Sequence, residues 1–186
     1  MRKRQVQIPV LCEDSAHESF ALGYLGARRY SRHKIRILPY PAHGRGSGKE
    51  HVRNEYLREV CATRKYNRMN PAGTYALLVM IDRDTDSQPD PYIDLDQRLT
   101  DADLDARGAT ERIAIFVPKR SVETWVYHLL YPRRKVEESS DYSKPKHGVS
   151  GGGCRRAGSE FSSYDPPSTC PLPSLVRGCQ ERSRIP

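Results

Sequence analysis

The sequence predicts an α/β fold, namely a four-stranded parallel sheet with helices on both faces. Short apolar runs of strand length alternate four times with longer segments whose apolar residues recur at helical spacing. One of these runs, 75–81, is apolar throughout, which is typical of a strand buried on both faces of a sheet. The chain of 186 residues is also long enough for one domain of ordinary size.

The predicted elements follow one another in a regular order. Strands are expected at 5–12, 34–40, 75–81 and 112–117, and helices at 16–29, 49–65, 94–106 and 121–130. Asp14 or Ser15 is a suitable N-cap for the first helix. The third helix is rich in acidic residues, and we expect it to be exposed. Because right-handed crossovers bring the carboxyl ends of parallel strands to one edge, the segments that follow the strands should meet there.

The composition changes at about residue 130. Residues 1–130 carry the alternating pattern and form the predicted α/β domain. Glycine, proline and serine dominate 139–153, which we interpret as a linker. Two later segments, 155–164 and 174–183, could each be a short helix. Residues 131–186 are therefore predicted to be a linker followed by a small helical or irregular extension.

The charge is unevenly distributed along the chain. The net charge is +8, to which residues 1–70 contribute +9, residues 71–110 contribute −6 and residues 111–186 contribute +5. An acidic centre between basic segments suits a metal site that acts on a polyanion such as DNA or RNA. A positive surface that only solvates the fold is the alternative, and it stays open.

The sequence gives no signal for a membrane or for secretion. No apolar run approaches the length that spans a bilayer, and the basic start is not followed by a signal-peptide core. The five cysteines form no Cys-x-x-Cys pair, so a zinc site or a disulfide framework is not expected. We therefore expect a cytoplasmic protein with free thiols.

Acidic residues directly follow the apolar run at 75–81. Asp82, Asp84 and Asp86 occupy every second position, so in an extended segment their carboxylates point to one side. Three close anions repel one another unless they are protonated, hydrogen-bonded or bridged by a cation, and Mg²⁺ or Mn²⁺ is the simplest bridge. We expect Asp82 and Asp84 to be ligands and Asp86 to be a spectator.

Glu13 occupies the equivalent place after the first strand. An acid at the start of a helix is often there because the helix dipole stabilises it. The predicted position of Glu13 on the same edge as Asp82 and Asp84 favours a different interpretation. We expect its carboxylate to bind the metal ion or to act as a general base or acid on water.

A glycine-rich basic loop precedes the second predicted helix. It is not a Walker A loop, because only three residues separate Gly44 from Gly48 and a glutamate follows the lysine. We expect its backbone amides, together with Arg45, Lys49 and Arg53, to contact phosphates. A solvated basic loop is the alternative.

Two segments together resemble the TOPRIM domain shared by topoisomerases, primases and OLD-family nucleases. LCEDSAHESF is similar to the VEG-x-(S/T)-E-E-x-F start of small OLD-like TOPRIM proteins, and LLVMIDRD is similar to their strand with its Asp-x-Asp pair. Glu13 matches the first glutamate of that pattern and Glu18 a later acid. His17 stands where many members carry a further glutamate, and Asp14 replaces a glycine. The resemblance covers about residues 5–130.

The resemblance implies a TOPRIM-like catalytic domain with a Rossmann-like sheet, in which acids bind Mg²⁺ or Mn²⁺ and Glu18 is one further ligand. OLD-like nucleases are expected to carry another acid and a lysine late in the domain, and in IAIFVPKRSVETW the nearest are Glu123 and Lys119. The lysine would stabilise the charge on the reacting phosphate, and Arg120 would contact the nucleic acid. Glu123 also lies in the first turn of a helix, where an acid needs no metal, so both interpretations stay open.

The leading hypothesis is a metal-dependent endonuclease that hydrolyses phosphodiester bonds in DNA or RNA. Its catalytic residues would be Glu13, Asp82, Asp84 and Lys119. The resemblance also implies an ABC/SMC-like ATPase partner in an anti-phage defence system. The alternative is a non-catalytic subunit that uses the acids for a structural metal ion and the basic surface for nucleic acid or a partner. Both hypotheses need the same acids.

Overall fold

The computed structural model describes residues 7–41, 46–73, 75–84, 89–133, 136–139 and 149–186. The strands are β1 (Ile8–Cys12), β2 (Ile35–Ile37), β3 (Leu77–Met80) and β4 (Ile113–Phe116). All neighbouring strands pair in parallel, in the order β2-β1-β3-β4. The predicted four-stranded parallel sheet is therefore confirmed.

Six α-helices surround this sheet in the described part of the chain. They are α1 (Ser15–Ala27), α2 (Gly48–Met69), α3 (Pro91–Asp101), α4 (Val122–Leu130), α5 (Gly151–Phe161) and α6 (Pro173–Glu181). The N-cap of α1 is Asp14, as predicted, and its carboxylate accepts hydrogen bonds from the backbone N–H groups of Ala16 and His17. These bonds satisfy donors that the helix itself leaves unpaired.

The helices cover both faces of the sheet. Successive residues of a strand point to opposite faces, so neighbouring residues of β1 pack against different helices. Val10 packs into the core that contains residues of α1, α4, α5 and α6. Its neighbour Leu11 packs into the core that contains residues of α2 and α3. The sheet is consequently buried from both sides, and the carboxyl ends of its strands lie at one edge, where Glu13 follows β1 and Asp82 lies two residues beyond β3.

The third helix differs from the prediction in its exposure. It begins at Pro91 rather than near residue 94, and Tyr92, Leu95 and Leu99 are buried against α2 and the sheet. The spacing of these three residues places them on one face of the helix, whereas two of its three acids lie on the other. The expectation that this helix is exposed is therefore wrong.

Part of the segment predicted as a linker is helical. Ser150 caps α5 by accepting a hydrogen bond from the backbone N–H of Gly153 at 3.2 Å. Glycine allows α5 to lie very close to α1, since a Cβ atom at Gly158 would overlap the carbonyl oxygen of Phe20. The helix therefore packs closely on the α/β unit. Residues 140–148 of the predicted linker lie outside the described residues, and the boundary at residue 130 stays a prediction.

Helix α6 reaches the outer edge of β4. Glu181 accepts a hydrogen bond from the backbone N–H of Ile115 at 3.1 Å, and it forms an ion pair with Arg107. Arg107 also donates to the carbonyl oxygen of Ile113 at 2.9 Å. Because both charged side chains are nearly buried, each depends on the other for compensation.

None of the helices in the described ranges combines the length and the apolar character needed to cross a membrane. The cytoplasmic location stays a prediction.

Candidate functional site

The candidate site lies where β1 and β3 end side by side. These two strands pair in parallel up to Cys12 and Met80, Glu13 follows β1 directly, and Asp82 lies two residues beyond β3. The chain leaves β1 for β2 on one side and returns to β3 on the other. Open α/β sheets bind their ligands outside the carboxyl ends of the strands at such a switch point.

Glu13 contacts the backbone of the neighbouring strand. Its Oε1 atom accepts a hydrogen bond from the backbone N–H of Asp82 at 2.6 Å. Burial, together with the negative charge of Asp82, raises the pKa of Glu13 to about 7. The nearby charges of His17 and Lys49 oppose this rise but do not cancel it. The site therefore carries negative charge that these described cations compensate only in part.

His17 holds Asp82 in place from the first turn of α1. The imidazole is completely buried, with Nδ1 2.9 Å from Asp14 Oδ1 and Nε2 2.9 Å from Asp82 Oδ1. Burial alone would lower the pKa of His17, but the charge of Asp82 and the hydrogen bonds to both carboxylates raise it well above its usual value. A doubly protonated ring can donate to both aspartates.

Asp14 is the outer partner of this chain of contacts. Burial tends to raise its pKa, but the hydrogen bond and the charge of His17 outweigh burial and lower the pKa to about 2. Asp14 therefore stays ionised while it also caps α1. In the sequence, His17 was noted only as a residue that differs from the TOPRIM pattern. The signal for its role is its place three residues after the capping Asp14, which brings the two side chains together at a helix start.

Lys49 comes to the same edge from the start of α2. Its ammonium group forms an ion pair with Asp84 Oδ2, and the Lys49 side chain is only 14 % exposed. The close approach of α2 depends on Gly48, where a Cβ atom would overlap the carbonyl oxygen of Glu13. Ser47 caps this helix by accepting from the backbone N–H of Glu50 at 3.3 Å. The structure therefore brings together Glu13, Asp82, Asp84 and Lys49, all of which sequence reasoning singled out.

Two other candidate ligands have contacts elsewhere. Glu18 accepts a hydrogen bond from the hydroxyl of Tyr40 at 2.8 Å, and its charge adds to burial in raising the pKa of the Cys12 thiol, next to Glu13. Glu123 lies in the first turn of α4, where its charge adds to burial in raising the pKa of the Cys154 thiol. In the described contacts neither side chain takes part in the hydrogen bond between Glu13 and Asp82, and their metal-binding roles stay predictions.

Lys119 and Arg120 lie beyond the end of β4. Lys119 forms an isolated parallel bridge with Arg83, and its backbone N–H donates to Ser174 Oγ at 3.2 Å. Arg120 has a positive φ of 75° and donates its backbone N–H to the carbonyl oxygen of Arg83 at 2.7 Å. These contacts connect the Lys119 segment to the residue between Asp82 and Asp84. The catalytic role of Lys119 and the nucleic-acid contact of Arg120 stay predictions.

The remaining predicted phosphate contacts differ in their surroundings. Arg53 Nε lies 2.8 Å from Asp94 Oδ2, and its guanidinium also pairs with Glu50, so this side chain connects α2 to α3. These two carboxylates already compensate the charge of Arg53, so its contact with a phosphate stays a prediction. Arg45 and Asp86 lie outside the described residues.

The carboxylates fit a divalent cation in chemistry and charge. Mg²⁺ and Mn²⁺ prefer oxygen ligands, and the raised pKa of Glu13 indicates that another positive charge would be favourable. Among the described residues, however, no three His, Cys, Asp or Glu side chains are grouped so as to hold a metal ion. Cation binding would therefore require movement of side chains. In particular, the cation would replace the ammonium group of Lys49 at Asp84.

Comparison with family models, with curated proteins and with solved structures gives no match for this chain. The structure therefore supports a four-stranded parallel α/β fold of order β2-β1-β3-β4 without assigning a family.

Proposed function

We propose that this protein is a Mg²⁺- or Mn²⁺-dependent phosphodiesterase that cleaves DNA or RNA, with a TOPRIM-like site. The observation that supports the proposal is the contact between Glu13 and the backbone of Asp82 at the switch point between β1 and β3. It brings two acids from distant parts of the chain together where α/β sheets bind ligands. The uneven charge of the sequence supports a polyanionic substrate.

The acids would hold the cation, with Glu13, Asp82 and Asp84 as its ligands. A bound cation would polarise the phosphoryl oxygen and lower the pKa of a bound water molecule. His17 contacts Asp82 Oδ1, and the second carboxylate oxygen of Asp82 would bind the cation. Glu13 uses one oxygen for the backbone of Asp82 in the same way.

Cations of the chain would bind and orient the substrate. Lys49 pairs with Asp84 in the free protein, and once released it would stand beside the reacting phosphate. Lys119 would stabilise charge on that phosphate, and Arg120 would contact the nucleic acid backbone. An ABC/SMC-like ATPase partner and a role in anti-phage defence stay predictions from the TOPRIM resemblance.

A cleavage assay tests the proposal. Wild-type protein and Asp82→Asn are incubated with single- and double-stranded DNA and RNA, in Mg²⁺, in Mn²⁺ and in EDTA. Asparagine keeps an oxygen for His17 and removes the charge, so the fold should be preserved. We expect cleavage by wild type that EDTA abolishes and that Asp82→Asn reduces by at least about 100-fold, as for loss of a charge-stabilising group. The matched control is Asp101→Asn, at the end of α3, which should cleave like wild type.

The alternative function is a non-catalytic binding subunit with a structural ion. It is favoured by the partners that the acids already have, since Glu13, Asp82 and Asp84 each contact a group of the chain itself. Calorimetry with Mn²⁺ separates the two functions. Tight Mn²⁺ binding by wild type, with no cleavage of any of the four substrates, would support the binding subunit and refute the phosphodiesterase.

A further inference from the structure

A basic surface lies where α1 ends and the chain turns towards β2. Residues 19–49 carry seven lysine and arginine residues and no aspartate or glutamate, and residues 28–34 of this segment form the turn. Because β2 pairs in parallel with β1, the turn lies at the amino ends of the strands, at the opposite edge of the sheet from Glu13. Helix α1 connects the two edges and, with 13 residues, is about 20 Å long. The basic surface is therefore separate from the candidate site.

Four exposed arginines form this surface, which we call the arginine patch: Arg28, Arg29, Arg32 and Arg155. Arg32 comes from the turn and Arg155 from α5, and both line one cleft of about 310 Å³ whose other lining residues are uncharged. Helix α5 lies directly on α1 here, since a Cβ atom at Gly23 would overlap the carbonyl oxygen of Arg155. Parts of the chain that are distant in sequence thus contribute cations to one surface.

The charge of the arginine patch is not compensated within the described ranges, where no carboxylate forms an ion pair with any of its four members. Arg28 and Arg32 instead donate to the backbone carbonyl oxygens of Ile185 and Ile35, at 3.1 and 3.3 Å. Arginines of the opposite face of the sheet do have carboxylate partners, such as Arg64 with Glu111 and Arg98 with Asp94. Unpaired like charges repel one another in the free protein, and an anionic partner would relieve this repulsion.

Arg29 also has an unfavourable backbone conformation. Its φ is 64°, in the left-handed region that is costly for residues with a side chain. It ends α1 in a Schellman motif, in which the N–H groups of Arg29 and Tyr30 donate to the carbonyl oxygens of Gly26 and Leu25 at 2.9 and 3.0 Å. Glycine is the usual residue at this position, because it adopts the conformation without strain. Stability therefore does not explain an arginine here, whereas a use for its charge does.

We propose that the arginine patch binds the phosphate backbone of a nucleic acid, without preference for base sequence. Guanidinium groups suit phosphate oxygens because they can donate two parallel hydrogen bonds. Phosphates repeat along the polymer, so one strand can contact several of the arginines at once. This inference does not rest on the proposed phosphodiesterase activity, because it concerns the opposite edge of the sheet and no cleavage step.

Fluorescence anisotropy with the full chain tests the proposal, in EDTA so that binding is measured without metal-dependent cleavage. The probes are labelled 20-nucleotide DNA and RNA, single- and double-stranded. We expect wild type to bind with a Kd below about 10 μM at about 50 mM salt, and to bind more weakly as salt is added. A triple variant, Arg29→Gln with Arg32→Gln and Arg155→Gln, should bind at least about tenfold more weakly, and its slope of log Kd against log salt should be smaller by about 2 to 3 on duplex DNA.

The matched control is Arg58→Gln, which should bind like wild type. Arg58 is also an exposed arginine, but it pairs with Glu55 and Glu59 on α2. Wild-type affinity and an unchanged salt slope in the triple variant would overturn the proposal, and so would the absence of binding by wild type. Tighter binding of poly-glutamate than of nucleic acid would also overturn it, since that result indicates an acidic protein as the partner.

Arg29→Gly separates a binding role of this residue from a structural one. Glycine should relieve the strain of the left-handed conformation and raise the Tm by about 2–4 °C. The same substitution should weaken nucleic-acid binding by about threefold, because it removes one phosphate contact. A higher Tm with weaker binding would support the proposal, whereas a higher Tm with wild-type binding would contradict the role of Arg29.

Discussion

Replacing Glu13 by glutamine should stabilise the protein at alkaline pH and have little effect at acidic pH. The glutamine oxygen can still accept the hydrogen bond from the backbone N–H of Asp82. What the substitution removes is the negative charge that burial and Asp82 make unfavourable, as the rise of the pKa of Glu13 to about 7 indicates. The predicted gain therefore depends on whether Glu13 is ionised.

The magnitude follows from the pKa of Glu13 in the folded and unfolded chain. Its pKa rises from 4.5 to about 7, and a change of one in pKa corresponds to about 1.4 kcal/mol. Above pH 7 the ionised group thus lowers the free energy of unfolding by about 3 kcal/mol. Between pH 4.5 and 7 the folded state binds more protons than the unfolded state, so this contribution to stability decreases as the pH rises. Below pH 4.5 the penalty is absent.

Urea unfolding of wild type and Glu13→Gln at pH 5 and pH 8, with EDTA present, measures the effect. The stability difference between the two proteins should be larger at pH 8 than at pH 5 by up to about 3 kcal/mol, in favour of the variant. Adding Mn²⁺ at pH 8 should stabilise wild type and have much less effect on Glu13→Gln. The same stability difference at both pH values would refute the assignment of a raised pKa to Glu13.

Three further substitutions test the packing of the fold. Gly48→Ala should destabilise the protein by about 1–3 kcal/mol, because its Cβ would overlap the carbonyl oxygen of Glu13. Gly26→Ala, which has open space, should stabilise α1 by up to about 1 kcal/mol in the same urea measurement. Glu181→Gln should destabilise the fold by about 3–5 kcal/mol because it leaves Arg107 buried without its carboxylate, and a loss under 1 kcal/mol would contradict this reasoning.

The position of Glu13 beside Asp82 follows from sequence reasoning alone. Both residues come directly after apolar runs of strand length, and parallel strands bring such ends to one edge of the sheet. The contact between Lys49 and Asp84 is harder to predict from the sequence, because it depends on the close approach of α2 at Gly48. The sequence predicts that Lys49 contacts phosphate, and the structure shows that it pairs with Asp84.

Two elements show why pattern reasoning fell short. The acids of the predicted helix 94–106 concealed the helical spacing of Tyr92, Leu95 and Leu99 on the buried face of α3. In α5 three consecutive glycines suggested a linker, yet they form the first turn of a helix that must pack very close to α1. Local propensity indicates a loop at these glycines, whereas packing against α1 stabilises a helix.

The contact of Glu181 with the outer N–H of Ile115 has a consequence for self-association. The unpaired backbone groups of an edge strand are a template onto which another chain can add a strand. At β4 an incoming strand would have to displace Glu181, and it would thereby leave the nearly buried Arg107 without its carboxylate. The carboxyl-terminal helix therefore makes strand addition at this edge of the sheet energetically unfavourable.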